Sequence, residues 1–154
     1  MPQLEAGAQA PPFSLPDQDG NTISLDDFKG SKVIVYFYPK DDTPGCTREA
    51  CQFNDNLHGF QRAGVPVLGI SRDGAASHRA FREKYGLKFP LLSDVDHRVM
   101  DAYGVWGEKT SYGKTSVGVL RSTFLIDEQG RVQHGWYNVK ADGHAEKVLA
   151  EATA

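Results

Sequence analysis

The chain has only two cysteines among its 154 residues, too few to staple a small secreted scaffold. It has no run of apolar residues near the ~20 needed to cross a bilayer, so no membrane span is expected. It has no basic tract, and 17 Lys and Arg against 20 Asp and Glu leave a formal net charge of −3. That balance argues against nucleic acid or an anionic membrane surface as the main partner. The opening residues, MPQLEAGAQAPPF, lack the basic segment and apolar stretch of a secretory signal, and a cytoplasmic location is expected. Internal repeats, low-complexity segments and long linkers are missing too. What remains is ordinary globular composition, 40% hydrophobic and 24% charged, of a length that suits one domain spanning residues 1–154.

The pattern along the chain reads as an α/β domain with a central mixed sheet flanked by helices. Two short extended pieces, Phe13 to Leu15 and Thr22 to Ser24, flank the turn-rich Asp17-Gln18-Asp19-Gly20 and suit a hairpin. Ser31 to Tyr38 contains VIVYFY, a continuous apolar run ended by Pro39, which predicts a strand buried on both faces. Pro44 to Gly64 reads as a helix, with Ala50, Phe53, Leu57 and Phe60 on one stripe, Thr43 as the capping hydroxyl and Pro44 at the first helical position. A second strand follows at Val65 to Ile70. A crossover of this length makes the two strands parallel. Helices are expected over Ala75 to Tyr85, Asp96 to Tyr103 and around Ala145 to Ala152, and a β-hairpin from Ser122 to Asp127 and Arg131 to Asn138. Gly104 to Val119 reads as a long glycine-spaced loop, a length that usually signals function or mobility. His78, His97, His134 and His144 lie on polar stretches and read as surface residues, and Trp106 and Trp136 as packing groups.

The two thiols, Cys46 and Cys51, fall on the helix that follows the buried strand. Cys46 lies one turn inside it on the apolar stripe. Cys51 is rotated by roughly 140°, onto the polar side with Asn54 and His58. On an intact helix their Cα atoms would stand roughly 8.7 Å apart, whereas a disulfide wants about 4.4–6.8 Å. The pair therefore bridges only if the first turns unwind. A helix N-terminus favours a thiolate by only ~0.3–1 kcal/mol, so a strongly acidic thiol needs a nearby cation. Asp41, Asp42 and Glu49 are close in sequence and would oppose it. Lys40 and Arg48 are local candidates for the cation. Arg121 is the better one on topology: if the strand after it runs antiparallel to VIVYFY, Arg121 lies at the sheet edge where that strand ends. A metal site from Cys46, Cys51 and His58 does not match zinc spacing, and neither metal nor cofactor is expected.

The string YFYPKDDTPGCTREAC, from Tyr36 to Cys51, resembles the active-site region of the peroxiredoxins, most of all the bacterioferritin comigratory protein or peroxiredoxin Q branch. The likeness extends to APPFSLPDQDGNTISL near the start and WGEKTSYGKTSVGVLRSTFLID later, and so covers most of the chain. The resemblance implies a thioredoxin-like fold. It also implies thiol-dependent reduction of hydrogen peroxide and organic hydroperoxides, with re-reduction by thioredoxin or a similar dithiol protein. By the same resemblance Cys46 attacks the peroxide and becomes a sulfenic acid. Thr43 hydrogen-bonds peroxide and thiolate, Arg121 stabilises the thiolate and the leaving oxygen, and Pro39 shields the nucleophile from water. Cys51 sits where the branch often carries a resolving cysteine, which would make this an atypical two-cysteine peroxidase with an intramolecular disulfide. Glu49 is expected to orient Arg121. With its disulfide partner on the same chain, a monomer is expected.

An ordinary thiol is already a few per cent thiolate at pH 7, so full ionisation gains at most about thirtyfold, or ~2 kcal/mol. Fast peroxide reduction must therefore come mainly from alignment and from stabilising the leaving oxygen. Two other readings use the same thiols. A general disulfide oxidoreductase carries Cys-x-x-Cys, but here four residues intervene. A redox sensor that opens a helix would need neither Thr43 nor Arg121.

Overall fold

The computed structural model describes residues 3–111 and 113–154. Tyr112, inside the segment read as a loop, and the first two residues of the opening segment lie outside them. Strands β1 (Ser14–Pro16) and β2 (Thr22–Ser24) form the expected hairpin, whose turn is fixed by the Asp17 carboxylate accepting from the amides of Asp19 and Asn21. A short 3-10 turn, Leu25–Phe28, leads to β3 (Val33–Phe37), every residue of which is buried.

The main sheet is completed by β4 (Val67–Ser71), β5 (Leu91–Ser93), β8 (Ser122–Ile126) and β9 (Val132–Trp136), in the order β5-β4-β3-β8-β9. β4 runs parallel to β3 and β5 parallel to β4, whereas β8 is antiparallel to β3 with Phe37 opposite Ser122. Side chains alternate along β3 and feed two cores. Ile34, Tyr36 and Tyr38 pack with Cys46, Phe53, Phe60, Phe81 and Val148. Val33, Val35 and Phe37 pack on the other face with Met100, Tyr103 and Phe124.

The single helix expected over Pro44 to Gly64 is two, α1 (Pro44–Asp55) and α2 (Leu57–Arg62). The break falls at Asn56, whose side-chain amide donates to the Gln52 carbonyl at 2.8 Å and so competes with the helical ladder. α3 (Ala75–Tyr85) ends at Gly86 in the left-handed conformation, φ 63°. α4 (Arg98–Tyr103) and α5 (His144–Ala152) complete the fold. The expected long loop at Gly104 to Val119 is instead a two-stranded ribbon, β6 (Trp106–Ser111) against β7 (Lys114–Val119), in register from Trp106 opposite Val119 to Ser111 opposite Lys114. Most of β7 is exposed, so the ribbon lacks the apolar alternation that marks a half-buried strand. Among the described residues, no helix is long and apolar enough to cross a membrane.

Candidate active site

The site lies where β3 ends and α1 begins, with β8 starting beside it. Cys46, in the first turn of α1, is a free thiol with only 2% of its surface exposed. The antiparallel pairing of β8 with β3 brings Arg121, the residue before β8, to the same sheet edge. Its Nη2 donates to Cys46 Sγ at 3.3 Å, and its Nη1 donates to Glu49 Oε1 at 2.6 Å. The local candidates Lys40 and Arg48 are both exposed, and Arg121 is the cation on the sulfur. Gly45 makes this approach possible: a Cβ there would stand 3.1 Å from Arg121 Nη2. No signal in the sequence pointed to that contact.

Glu49 is fully buried. Its Oε1 is bonded to Arg121, while its Oε2 has no hydrogen-bond partner among the described residues. Burial pushes its carboxyl up to about 7, against the opposing pull of Arg121. Burial works against charge on Arg121 as well, but Glu49 and Cys46 outweigh it and hold the guanidinium cationic. Tyr36 lies beneath, stacked on Phe53 at 4.6 Å between ring centroids. Burial, then Glu49 and Cys46, push its phenol well above the ordinary range.

The three acids expected to oppose a thiolate are all spoken for. Glu49 is paired with Arg121. Asp42 accepts from Lys84 Nζ and the Tyr85 hydroxyl, both at 2.9 Å. Asp41 is buried, accepts from Tyr38 and Ser77, and is hydrogen-bonded to His78 Nδ1. Positions Asp41 and His78 carried no functional signal in the sequence. His78 is fully buried and His144 nearly so, contrary to the surface reading, because each is enclosed by elements distant in sequence. His144 Nε2 lies 2.8 Å from Thr123 Oγ1; burial, then Lys147 and Arg121, push its imidazole down to about 4. His97 stacks on Trp106 and His134 on Trp136, both half-buried.

Thr43 is the N-cap residue of α1, followed by Pro44 as expected, but its side chain does not cap the helix. Its Oγ1 donates instead to the Lys40 carbonyl at 2.8 Å. Pro39 is half-buried at the end of β3. Pro39, Thr43, Gly45 and Arg121 are all half-buried, and of these Arg121 is the one bonded to the thiol among the described residues.

Cys51 is half-buried, on the same intact helix as Cys46 and not bonded to it. Burial, then Asp55, push its thiol above the ordinary value. Beyond Cys51 the helix is stapled by side chains. Gln52 bonds Asp142 and Gly143, and Asn54 bonds Gly86 and Lys88. Between the two cysteines the one polar tie to another element, among the described residues, is Glu49 to Arg121.

The chain is similar to known proteins along most of its length. The AhpC/TSA family profile matches residues 6–135. A chain from Mycobacterium tuberculosis is 54% identical over 146 residues, covering 95% of this chain and 93% of the other. The peroxiredoxin Bcp of Escherichia coli K12 is 51% identical over 149 residues, covering 97% and 96%. The structure of the bacterioferritin comigratory protein of Xanthomonas campestris, studied for alkyl peroxide reduction, superposes with a TM-score of 0.89 at 41% identity over 96% of this chain and 97% of that one.

Proposed function

The chain belongs to the AhpC/TSA family, in its peroxiredoxin Q branch, and is a thiol peroxidase; we propose that it works through Cys46 as nucleophile, Cys51 as resolving thiol and a dithiol protein as reductant. The observation that carries this reading is the Arg121 guanidinium bonded at once to Cys46 Sγ and to the buried Glu49. One cation faces the place where the thiolate reacts, and its orientation is held by a carboxylate out of water.

In the first step the Cys46 thiolate attacks the terminal peroxide oxygen. The S–O bond forms as the O–O bond breaks, giving a sulfenic acid and an alkoxide or hydroxide, which takes a proton from water. Arg121 stabilises the charge on both sulfur and leaving oxygen. Thr43 holds the hydroperoxide through its hydroxyl and Pro39 excludes water. The alkyl peroxide activity of the Xanthomonas campestris relative supports organic hydroperoxides as well as hydrogen peroxide as substrates.

In the second step α1 unwinds between its two cysteines, and the Cys51 thiol displaces water from the sulfenic acid to form the disulfide. The distribution of staples supports this boundary. Unwinding residues 46–51 breaks the Glu49–Arg121 pair, whereas Gln52 and Asn54 keep the rest of the helix in place. Thioredoxin or a similar dithiol protein then reduces the disulfide by exchange. An intrachain partner for Cys46 supports a monomer, and a dithiol reductant supports the reducing cytoplasm as its place of action.

Reduced protein mixed with one equivalent of hydrogen peroxide should consume it within seconds, and mass spectrometry should then locate a Cys46–Cys51 disulfide. Cys46→Ser should abolish consumption. Cys51→Ser should keep the first turnover, accumulate sulfenic acid and lose thioredoxin-supported cycling. Unchanged cycling in that variant would assign resolution to another thiol.

A further inference from the structure

A second polar network, buried and separate from the sulfur, lies under the loop that joins β3 to α1. His78 on α3 is fully buried with both ring nitrogens engaged: Nδ1 is 2.7 Å from Asp41 Oδ2 and Nε2 is 3.0 Å from the Leu92 carbonyl. A carbonyl only accepts, so Nε2 carries a hydrogen. Asp41 also takes the hydroxyls of Tyr38 at 2.5 Å and Ser77 at 2.8 Å. The Asp41 carboxyl thus joins Tyr38, Ser77 and His78 in one buried network. A buried polar network of this kind adds little net stability compared with apolar packing, because desolvation offsets the attraction. What it supplies is a fixed geometry.

That geometry reaches Thr43 through a single peptide. The Lys40 carbonyl and the Asp41 amide are the two ends of one planar unit. The Asp41 N–H donates to Asp73 Oδ2 at 2.8 Å, and that oxygen is held in turn by the Ser71 hydroxyl at 2.7 Å. With the N–H aimed at Asp73 and the Asp41 side chain aimed at His78, the carbonyl must point the opposite way, and it takes the Thr43 hydroxyl proton at 2.8 Å. Thr43 Oγ1 is then left with lone pairs only.

We propose that Asp41 and His78 are positioning residues for peroxide reduction: they set the Lys40–Asp41 peptide so that Thr43 meets the incoming hydroperoxide as a hydrogen-bond acceptor. The proposal rests on the role given above to Thr43. It implies that the substrate must donate its O–H to Thr43, which a hydroperoxide does and a dialkyl peroxide does not.

The test compares two rates on the reduced protein: sulfenic acid formation with hydrogen peroxide, followed by tryptophan fluorescence, and alkylation of Cys46 by iodoacetamide. Alkylation needs the thiolate but not Thr43. His78→Leu should slow the peroxide reaction at least tenfold and leave alkylation within twofold. His78→Asn, which keeps a donor toward Asp41, should restore most of the loss. A parallel fall in both rates would reduce the network to a structural role, and a peroxide rate within threefold of wild type would overturn the proposal. Should His78→Leu fail to fold, the pair Asp41→Ala/His78→Leu leaves no uncompensated buried charge and is read by the same criteria. Thr43→Val serves as the reference: if it keeps the peroxide rate, the role of Thr43 itself falls, whereas if it slows the reaction and His78→Leu does not, only the positioning role falls.

Discussion

Unwinding α1 must carry Glu49 from full burial into water, and this makes the opening of the helix depend on pH. In the packed helix the Glu49 carboxyl titrates at about 7, raised by burial against the pull of Arg121; once exposed it should return to its ordinary value of 4.5. The packed state therefore binds the proton more tightly. Its advantage is fully present below pH 4.5 and is lost as pH rises through about 7. At ~1.4 kcal/mol per tenfold in proton affinity the difference amounts to about 3–4 kcal/mol, roughly three-hundredfold in the opening equilibrium. The facing groups do not obscure it: Arg121 stays cationic, Tyr36 stays neutral, and His144 titrates near 4, at the lower edge of the window. Cys46→Ser removes the thiol bonded to Arg121, and Cys51 is raised above the ordinary thiol range. Hydrogen-exchange protection of the amides from 47 to 51, corrected for intrinsic exchange, should fall roughly fortyfold from pH 5 to 7 in that variant. It should be flat after a further Glu49→Gln. Protection that ignores pH with Glu49 present, or that keeps the same slope with Gln, would refute the reasoning.

Two further outcomes follow from the contacts around the sulfur. Arg121→Ala removes the donor to Cys46 and should slow sulfenic acid formation by ~2.7–4 kcal/mol, the usual cost of deleting one oxyanion donor; stopped-flow rates within threefold of wild type would remove Arg121 from the mechanism. Gly45→Ala places a methyl 3.1 Å from Arg121 Nη2, so the guanidinium must give by a few tenths of an ångström. Peroxide reduction should fall severalfold while urea denaturation changes by less than ~1 kcal/mol, since Ala is the better helix former; equal losses in both would mean the methyl disturbs the helix rather than the site.

The parts of this molecule legible in the sequence are those set by local pattern. The VIVYFY run marked a strand buried on both faces, and alternate residues of β3 do enter two cores. From that strand and STFLID the edge position of Arg121 followed, and the register of Phe37 opposite Ser122 realises it. The β6–β7 ribbon was illegible because most of β7 lies in water, where alternation carries no energetic meaning and leaves no mark. The histidines failed for a related reason. Polar neighbours along the chain made His78 and His144 look exposed, but burial is decided by partners far away in sequence, Asp41 for one and Thr123 for the other.

The charge balance at Cys46 is the clearest case of a property that no window of sequence contains. Counted along the chain, Asp41, Asp42 and Glu49 surround the thiol with negative charge and argue against a thiolate. In the fold each acid is compensated by a cationic or donor group on another element: Asp41 by His78 and Asp42 by Lys84, both on α3, and Glu49 by Arg121 at the start of β8. Arg121 is bonded to the sulfur as well as to Glu49, so the charge in contact with Cys46 is positive. The acids that seemed to oppose the chemistry hold it in place: two tie the loop to α3, and the third aims the guanidinium. Removing an acid from this segment should therefore weaken peroxide reduction, where a count of charges along the chain would have it helped.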